Sequence, residues 1–352
     1  MAGRDFHPLR VAAIERLCDD AVAVTFDVPD SLAAAYSFRA GQSLTVRRPA
    51  DERDERRSYS ICAPVGARPR IGVREVPGGV ISSWLVRELR VGDEVEVAPP
   101  SGTFTPDLDA GGRHVMIAAG SGITPVLSIA TSLLRHPAAQ ISILYGNRHA
   151  ATVMFAEELA DLKDSHPSRL ELVHLLSREA REVDLLSGRL DAAKLRTLLP
   201  LLIDVPAVDH WWLCGPFGLV TDAVEVLTES AVPPERIHRE LFWVDEAPPE
   251  PQRAERTFDG PVSEVTVILD GRSTTVPVPE DTTVLEGAQR ARPDLPFACK
   301  GGVCGTCRGR VIEGEVAMRR NFALEPAELA AGFVLTCQSR PATEKVVVTY
   351  DE

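Results

Sequence analysis

Six short runs in the first hundred residues, 9–17, 22–28, 43–47, 58–62, 71–76 and 94–98, alternate apolar and polar positions or carry β-branched residues between turn signals. Regularly spaced runs of this kind predict the strands of an antiparallel barrel. Between the last two, residues 81–89 read as a short helix led by Ser82 and Ser83. From about His114 the rhythm changes. Apolar runs at 115–118, 141–145, 170–176 and 210–213 each precede a helical period, beginning at Pro125, around 155–162, at 192–199 and at 219–230. Strand–helix alternation predicts a parallel sheet covered by helices. The stretch 246–261 (EAPPEPQRAERTFDGP) has no apolar period and reads as a linker. After it, an alternating run at 262–269, the pair Asp270-Gly271 and a second run at 273–278 predict a β-hairpin. The expected division is therefore 1–108, 109–245, a linker at 246–261, and 262–352.

Composition adds bounds. A chain of 352 residues with 44% hydrophobic and 25% charged residues is expected to be globular and multidomain. The net charge of −13 argues against a nucleic-acid or anionic-membrane partner. No stretch approaches the roughly 18 apolar residues of a membrane span, and the first residues carry no apolar leader. The seven cysteines show no disulfide framework, so a cytoplasmic, reducing setting is expected.

Four of those cysteines, Cys299, Cys304, Cys307 and Cys337, are spaced C-x4-C-x2-C…C, the ligand pattern of a plant-type [2Fe–2S] ferredoxin. Glycines at 301, 302 and 305 suit a loop that brings backbone N–H groups close to sulfur. A structural zinc site also takes four thiolates, but it favours paired short knuckles, and Cys337 stands alone. Basic residues crowd this region: Lys300, Arg308, Arg310, Arg319 and Arg320. They are either a solvated face or a docking rim for an acidic partner.

Three further motifs carry chemistry. Arg57-Ser-Tyr-Ser60 lies on a predicted barrel strand, and Gly78-Gly-Val-Ile-Ser82 follows the next one. In this order and separation they resemble the flavin-binding signatures of the ferredoxin–NADP reductase family, which implies Tyr59 against a flavin face, Ser60 at the flavin N5 region and Arg57 on a phosphate oxygen. Gly79 permits close approach, and a helix opened by Ser82 would point N–H groups at a pyrophosphate. Ala119-Gly-Ser-Gly-Ile-Thr-Pro125 lies between the first parallel strand and its helix, although it lacks the third glycine of the ordinary dinucleotide fingerprint. Cys214-Gly-Pro216 ends a later strand. Arg148, Ser177 and Arg178 follow successive strands and suit a 2′-phosphate, which favours NADPH over NADH, although Glu179 pulls the other way.

In this order the motifs resemble those of the ferredoxin–NADP reductase family with a C-terminal plant-type ferredoxin domain, and the resemblance covers nearly the whole chain. It implies an antiparallel β-barrel flavin domain, an α/β nucleotide domain and a β-grasp ferredoxin domain. It also implies FAD, with Val80 in the pyrophosphate loop, a nucleotide loop at Gly120, Gly122, Ile123, Thr124 and Pro125, and Cys214, Gly215 and Pro216 beside the nicotinamide. Glu240 and Phe242 are implied on the other flavin face. Within the family, Arg57-Ser-Tyr-Ser-Ile-Cys62, Arg320-Asn-Phe-Ala-Leu-Glu325 and Leu335-Thr-Cys-Gln-Ser-Arg-Pro341 resemble the reductase components of bacterial phenylacetyl-CoA epoxidases. That implies a multicomponent oxygenase with di-iron hydroxylase subunits as electron acceptor. The alternatives are a reductase of Rieske-type 3-ketosteroid 9α-hydroxylases and a non-catalytic electron carrier or redox sensor.

Overall fold

The computed structural model describes residues 6–50, 53–243, 262–324 and 326–351; the expected linker lies outside them. The chain divides into two compact units, Asp5–Trp243 and Val244–Glu352.

The first unit opens with β1 (His7–Cys18), β2 (Ala21–Asp27), β3 (Ser43–Ala50), β4 (Arg53–Ser60), β5 (Arg70–Arg74), α1 (Val80–Arg87) and β6 (Glu94–Val97). The strands form one antiparallel sheet in the order β4-β3-β6-β1-β2-β5. An antiparallel bridge between Ile61 and Ile71 brings its two edges together. Leu9, Val11, Val24, Phe26, Leu44, Val46 and Ile71 are buried inside it, as the period-2 pattern requires. Helix α1 starts at Val80 with Gly79 as its N-cap, ahead of the expected Ser82. The Ser82 hydroxyl instead accepts from the Val76 N–H at 3.1 Å and braces the loop.

The alternating region follows as β7 (Gly112–Ala119), α2 (Ile123–Leu133), β8 (Ala139–Asn147), α3 (Ala156–Ser165), β9 (Leu170–Leu176), α4 (Ala192–Leu202), β10 (His210–Pro216), α5 (Phe217–Glu229) and β11 (Ile237–Trp243). All five strands are parallel, in the order β11-β10-β7-β8-β9. The order reverses beside β7, and such a switch point opens a crevice at the carboxyl ends of the strands. Strand β11 was not anticipated as a strand. The two halves of this unit share one apolar core, in which Ala21, Ala23, Cys62 and Phe104 of the first half pack with Ile123, Leu127, Trp212 and Cys214 of the second. Gly72 makes the approach feasible, because a Cβ there would lie 2.5 Å from Thr124 Cγ2.

The second unit contains β12 (Val262–Leu269), β13 (Arg272–Pro279), α6 (Val284–Gln289), β14 (Arg308–Glu313), β15 (Val316–Met318), α7 (Pro326–Ala330), β16 (Phe333–Leu335), β17 (Ser339–Pro341) and β18 (Lys345–Thr349). The expected hairpin closes at Asp270 and Gly271, both with positive φ (53° and 70°), the pair that a two-residue turn demands. Its sheet runs β13-β12-β18-β14-β16, with α6 packed against β13. Among the described residues no helix is long and apolar enough to cross a membrane.

Candidate redox site

The carboxyl ends of β7 and β10 meet over glycines. Gly122 has no room for a side chain: a Cβ would sit 2.2 Å from the Cys214 carbonyl oxygen and 2.9 Å from the Gly215 nitrogen. Gly120 has φ +57°, and its carbonyl accepts from the Tyr145 hydroxyl at 2.9 Å. No side chain caps α2, and Thr124 donates to the Ser121 carbonyl (2.9 Å), which tightens the turn. Ile123, Thr124 and Pro125 are buried in the first turn of α2. A glycine cradle at an uncapped helix N-terminus fits a dinucleotide pyrophosphate.

Beside this cradle three side chains converge from distant positions. Ser60 Oγ, at the end of β4, donates to Glu240 Oε2 at 3.0 Å, and the Cys214 thiol approaches the same oxygen at 3.8 Å. Burial pushes the Glu240 carboxyl up to about 7, and the two donors offset this only in part. Burial, and then the Glu240 charge, raise the Cys214 thiol, so it stays protonated. Cys214 is therefore no nucleophile; it is a polarisable wall with a weak donor. Tyr59 is half-buried against the barrel core, and desolvation raises its hydroxyl. Phe242 is half-buried against the shared core. Arg57 is exposed, with an ion pair to Glu55 at 3.2 Å.

The loop before α1 has Gly78 at φ +75° with open space around it, and α1 has no side-chain cap. Val80 is 51% exposed, so the first N–H groups of α1 adjoin an apolar lip. These features fit a flavin with its phosphates at α1.

Arg148, Ser177 and Arg178 are exposed and adjacent: the Ser177 N–H donates to Asn147 O (2.8 Å) and the Arg178 N–H to Arg148 O (2.9 Å). The Glu179 carboxylate accepts from the Ala150 N–H at 2.8 Å. Asn147 Nδ2 and Oδ1 are buried here without a hydrogen-bond partner among the described residues. Arg74 had escaped sequence reading. At the end of β5, it donates to the Thr152 carbonyl across the two halves and pairs with Asp20 at 3.3 Å. A basic residue near the end of a predicted strand, four positions before Gly78, was the available signal.

In the second unit the four thiols come as two pairs, Cys299 with Cys304 and Cys307 with Cys337. The bond from Cys304, aided by backbone N–H groups, holds Cys299 down at about 6 against burial. The Gly301 N–H lies 3.3 Å from Cys299 Sγ. Cys304 and Cys307 are pushed up, first by their paired thiols and then by burial. Lys300, Gly302 and Gly305 take φ of 52°, 81° and 66°, which folds the loop around the sulfurs. Among the described residues no three His, Cys, Asp or Glu side chains converge on a single ion. Two thiolates per iron are what a two-iron cluster takes, and the pairs Cys299–Cys304 and Cys307–Cys337 fit that demand.

Comparison with known proteins agrees with this geometry. Residues 8–105 match the oxidoreductase FAD-binding domain, 116–225 the oxidoreductase NAD-binding domain, and 267–342 the 2Fe-2S iron-sulfur cluster binding domain. The chain is 42% identical over 351 residues, 98% of both chains, to a component of the 1,2-phenylacetyl-CoA epoxidase of Escherichia coli (strain K12). It is 31% identical to the ferredoxin reductase component of 3-ketosteroid-9-alpha-monooxygenase from Rhodococcus rhodochrous, over 97% of this chain and 96% of that one. Among solved structures, phthalate dioxygenase reductase shares the fold, with a TM-score of 0.61 over 98% of each chain at 24% identity. The chain belongs to the NAD(P)H-dependent oxidoreductase family of these reductase components, built from an FAD-binding, an NAD-binding and a 2Fe–2S domain.

Proposed function

We propose that the protein carries electrons from NADPH through FAD and the 2Fe–2S cluster to a multicomponent oxygenase with di-iron hydroxylase subunits, the phenylacetyl-CoA epoxidase of phenylacetate catabolism. The observation that carries the choice of partner is the 42% identity across 98% of both chains. The ketosteroid hydroxylase reductase is the second reading, at 31% identity. The seven cysteines, none of them in a disulfide, support action in the reducing cytoplasm.

When bound, the flavin takes two electrons at once as hydride and releases them singly, and the cluster carries one. The residues supply orientation and a proton. Tyr59 lines the flavin face, and Ser60 presents its hydroxyl to the N5 side. Glu240 anchors Ser60 and holds or releases a proton near neutral pH. Phe242 backs the opposite face, and Gly79, Val80, Ser82 and Arg57 serve the flavin phosphates. Gly120, Gly122, Ile123, Thr124 and Pro125 hold the nucleotide, and Cys214, Gly215 and Pro216 border its nicotinamide. Arg148, Ser177 and Arg178 receive the 2′-phosphate. Cys299, Cys304, Cys307 and Cys337 ligate the cluster.

Cys304→Ser tests the order of flow: the cluster should be lost while NADPH still bleaches the flavin, and loss of flavin reduction refutes the order. The partner is tested by reconstitution. NADPH consumption should couple to epoxidation of phenylacetyl-CoA with the epoxidase subunits. Coupling only to a ketosteroid oxygenase would overturn the first reading.

A further inference from the structure

Gln338 directly follows the fourth cysteine and is only 4% exposed. Its Nε2 lies 2.8 Å from the Lys300 carbonyl, 3.0 Å from the Cys337 carbonyl and 3.7 Å from Cys337 Sγ. Three acceptors around one atom identify it as the amide nitrogen, since an oxygen there would face lone pairs on every side. One N–H serves Lys300, and the other is shared between the carbonyl and the sulfur of Cys337.

The rest of the residue is held as firmly. Its carbonyl accepts from the Arg319 N–H at 2.9 Å, and its own N–H donates to Leu335 at 2.8 Å. A Cβ at Gly302 would lie 3.0 Å from Gln338 Cγ, so the side-chain stem packs on the cluster loop itself. Lys300, next to the first ligand, is a non-glycine residue at φ 52°. The Gln338 amide fastens the carbonyl of that unfavourable position. A single buried side chain thus joins the loop of Cys299 to Cys337.

We infer that Gln338 is a positioning residue of the iron–sulfur centre, which sets the loop and, through its N–H to the Cys337 sulfur, raises the reduction potential. Reduction adds negative charge that spreads onto the sulfurs, and an N–H aimed at a sulfur stabilises that charge more than the oxidised state. The inference rests on the ligand set proposed above.

Gln338→Met keeps length and packing but removes the donor. With iron content unchanged, the cluster should bind its electron about tenfold more weakly, a fall of about 59 mV for a one-electron couple. An unchanged potential at full iron content overturns the inference. The second arm needs no substitution. Pulsed electron paramagnetic resonance on the reduced, unmodified protein, grown with glutamine labelled with ¹⁵N in its side chain, should show a nitrogen coupling to the cluster. Its absence overturns the inference even if Gln338→Met fails to assemble. Unmodified protein without a two-iron spectrum would refute the ligand set, and this inference with it.

Discussion

Ser60 and Glu240 stand 180 residues apart in sequence, yet the serine hydroxyl donates to the glutamate Oε2 at 3.0 Å. One ends the last strand before the barrel bridge, and the other sits in the last parallel strand, so this bond fastens the two halves of the unit at the site. Carrying the carboxyl from its ordinary 4.5 to about 7 is worth about 3 kcal/mol. An apolar pair would pack there without that penalty, so the cost argues for a proton-handling role. The folded state favours the protonated form. Its contribution to stability is full below 4.5 and is lost as pH rises through about 7.

Glu240→Gln should therefore flatten the pH dependence of flavin reduction by NADPH between about pH 6 and 8, and slow it by about tenfold or more. Ser60→Ala should move the inflection upward, because its hydrogen bond favours the charged carboxylate. Stopped-flow absorbance reads both. An inflection that survives Glu240→Gln assigns the titration elsewhere.

Much of this arrangement was legible in sequence where the signal is local. The Asp270-Gly271 hairpin, the cysteine spacing and the glycine loop after β7 each encode their geometry within a few residues. Strand β11 was not, because its polar residues are satisfied by distant partners. His238 stacks on Trp212 with ring centroids 4.2 Å apart, and Glu240 bonds to Ser60. Periodicity sees only a polar stretch there. Arg74 was hidden for the same reason, since its acceptor is the Thr152 carbonyl, 78 residues onward. The start of α1 was misplaced because Ser82 reads as a cap but turns its hydroxyl back to the Val76 N–H.

Gly122→Ala tests the cradle. The clash at 2.2 Å is with backbone, which cannot swing aside as a side-chain tip would. Thermal unfolding should show a loss of about 1–3 kcal/mol, and NADP+ binding should weaken with it. Gly218→Ala, in helix α5 with open space around it, is the control and should gain about 0.5–1 kcal/mol. Equal stability of the two variants would mean that the Gly122 contact relaxes freely.

The proposed preference for NADPH rests on Arg148 and Arg178, whose backbones are bonded at 2.9 Å and whose side chains are exposed. The Glu179 carboxylate, the group that opposed an NADPH preference, is engaged with the Ala150 N–H. Replacing both arginines with neutral residues should weaken NADP+ binding by about 1.5–3 kcal/mol per lost contact, with little effect on NAD+. Titration with each nucleotide measures this, and equal losses would remove the arginines from 2′-phosphate recognition.

Docking to the oxygenase is the last step of the proposed path, and the basic run around the cluster is the surface proposed for it. Arg308 pairs with Glu328 and lies over Phe333 at 4.3 Å. The Lys300 ammonium bonds Gln289 Oε1 at 3.0 Å and sits over Phe297 at 4.5 Å. Those two charges are committed to the fold of the unit. Arg319 is exposed and precedes Arg320, whose carbonyl oxygen would lie 3.4 Å from a Cβ on Gly302 of the cluster loop. In the proposed docking, positive charge beside the cluster loop would steer an acidic partner toward it, an effect on association rate that salt screens over about 10 Å at 0.1 M. Arg319→Glu with Arg320→Glu should slow electron delivery to the oxygenase at low salt and leave NADPH reduction of a small acceptor at the flavin unchanged. A rate indifferent to both salt and charge reversal would leave docking to apolar contacts, for which Ile312 (53% exposed), Val262 (44% exposed) and Leu329 (41% exposed) are the large apolar side chains exposed among the described residues of this unit.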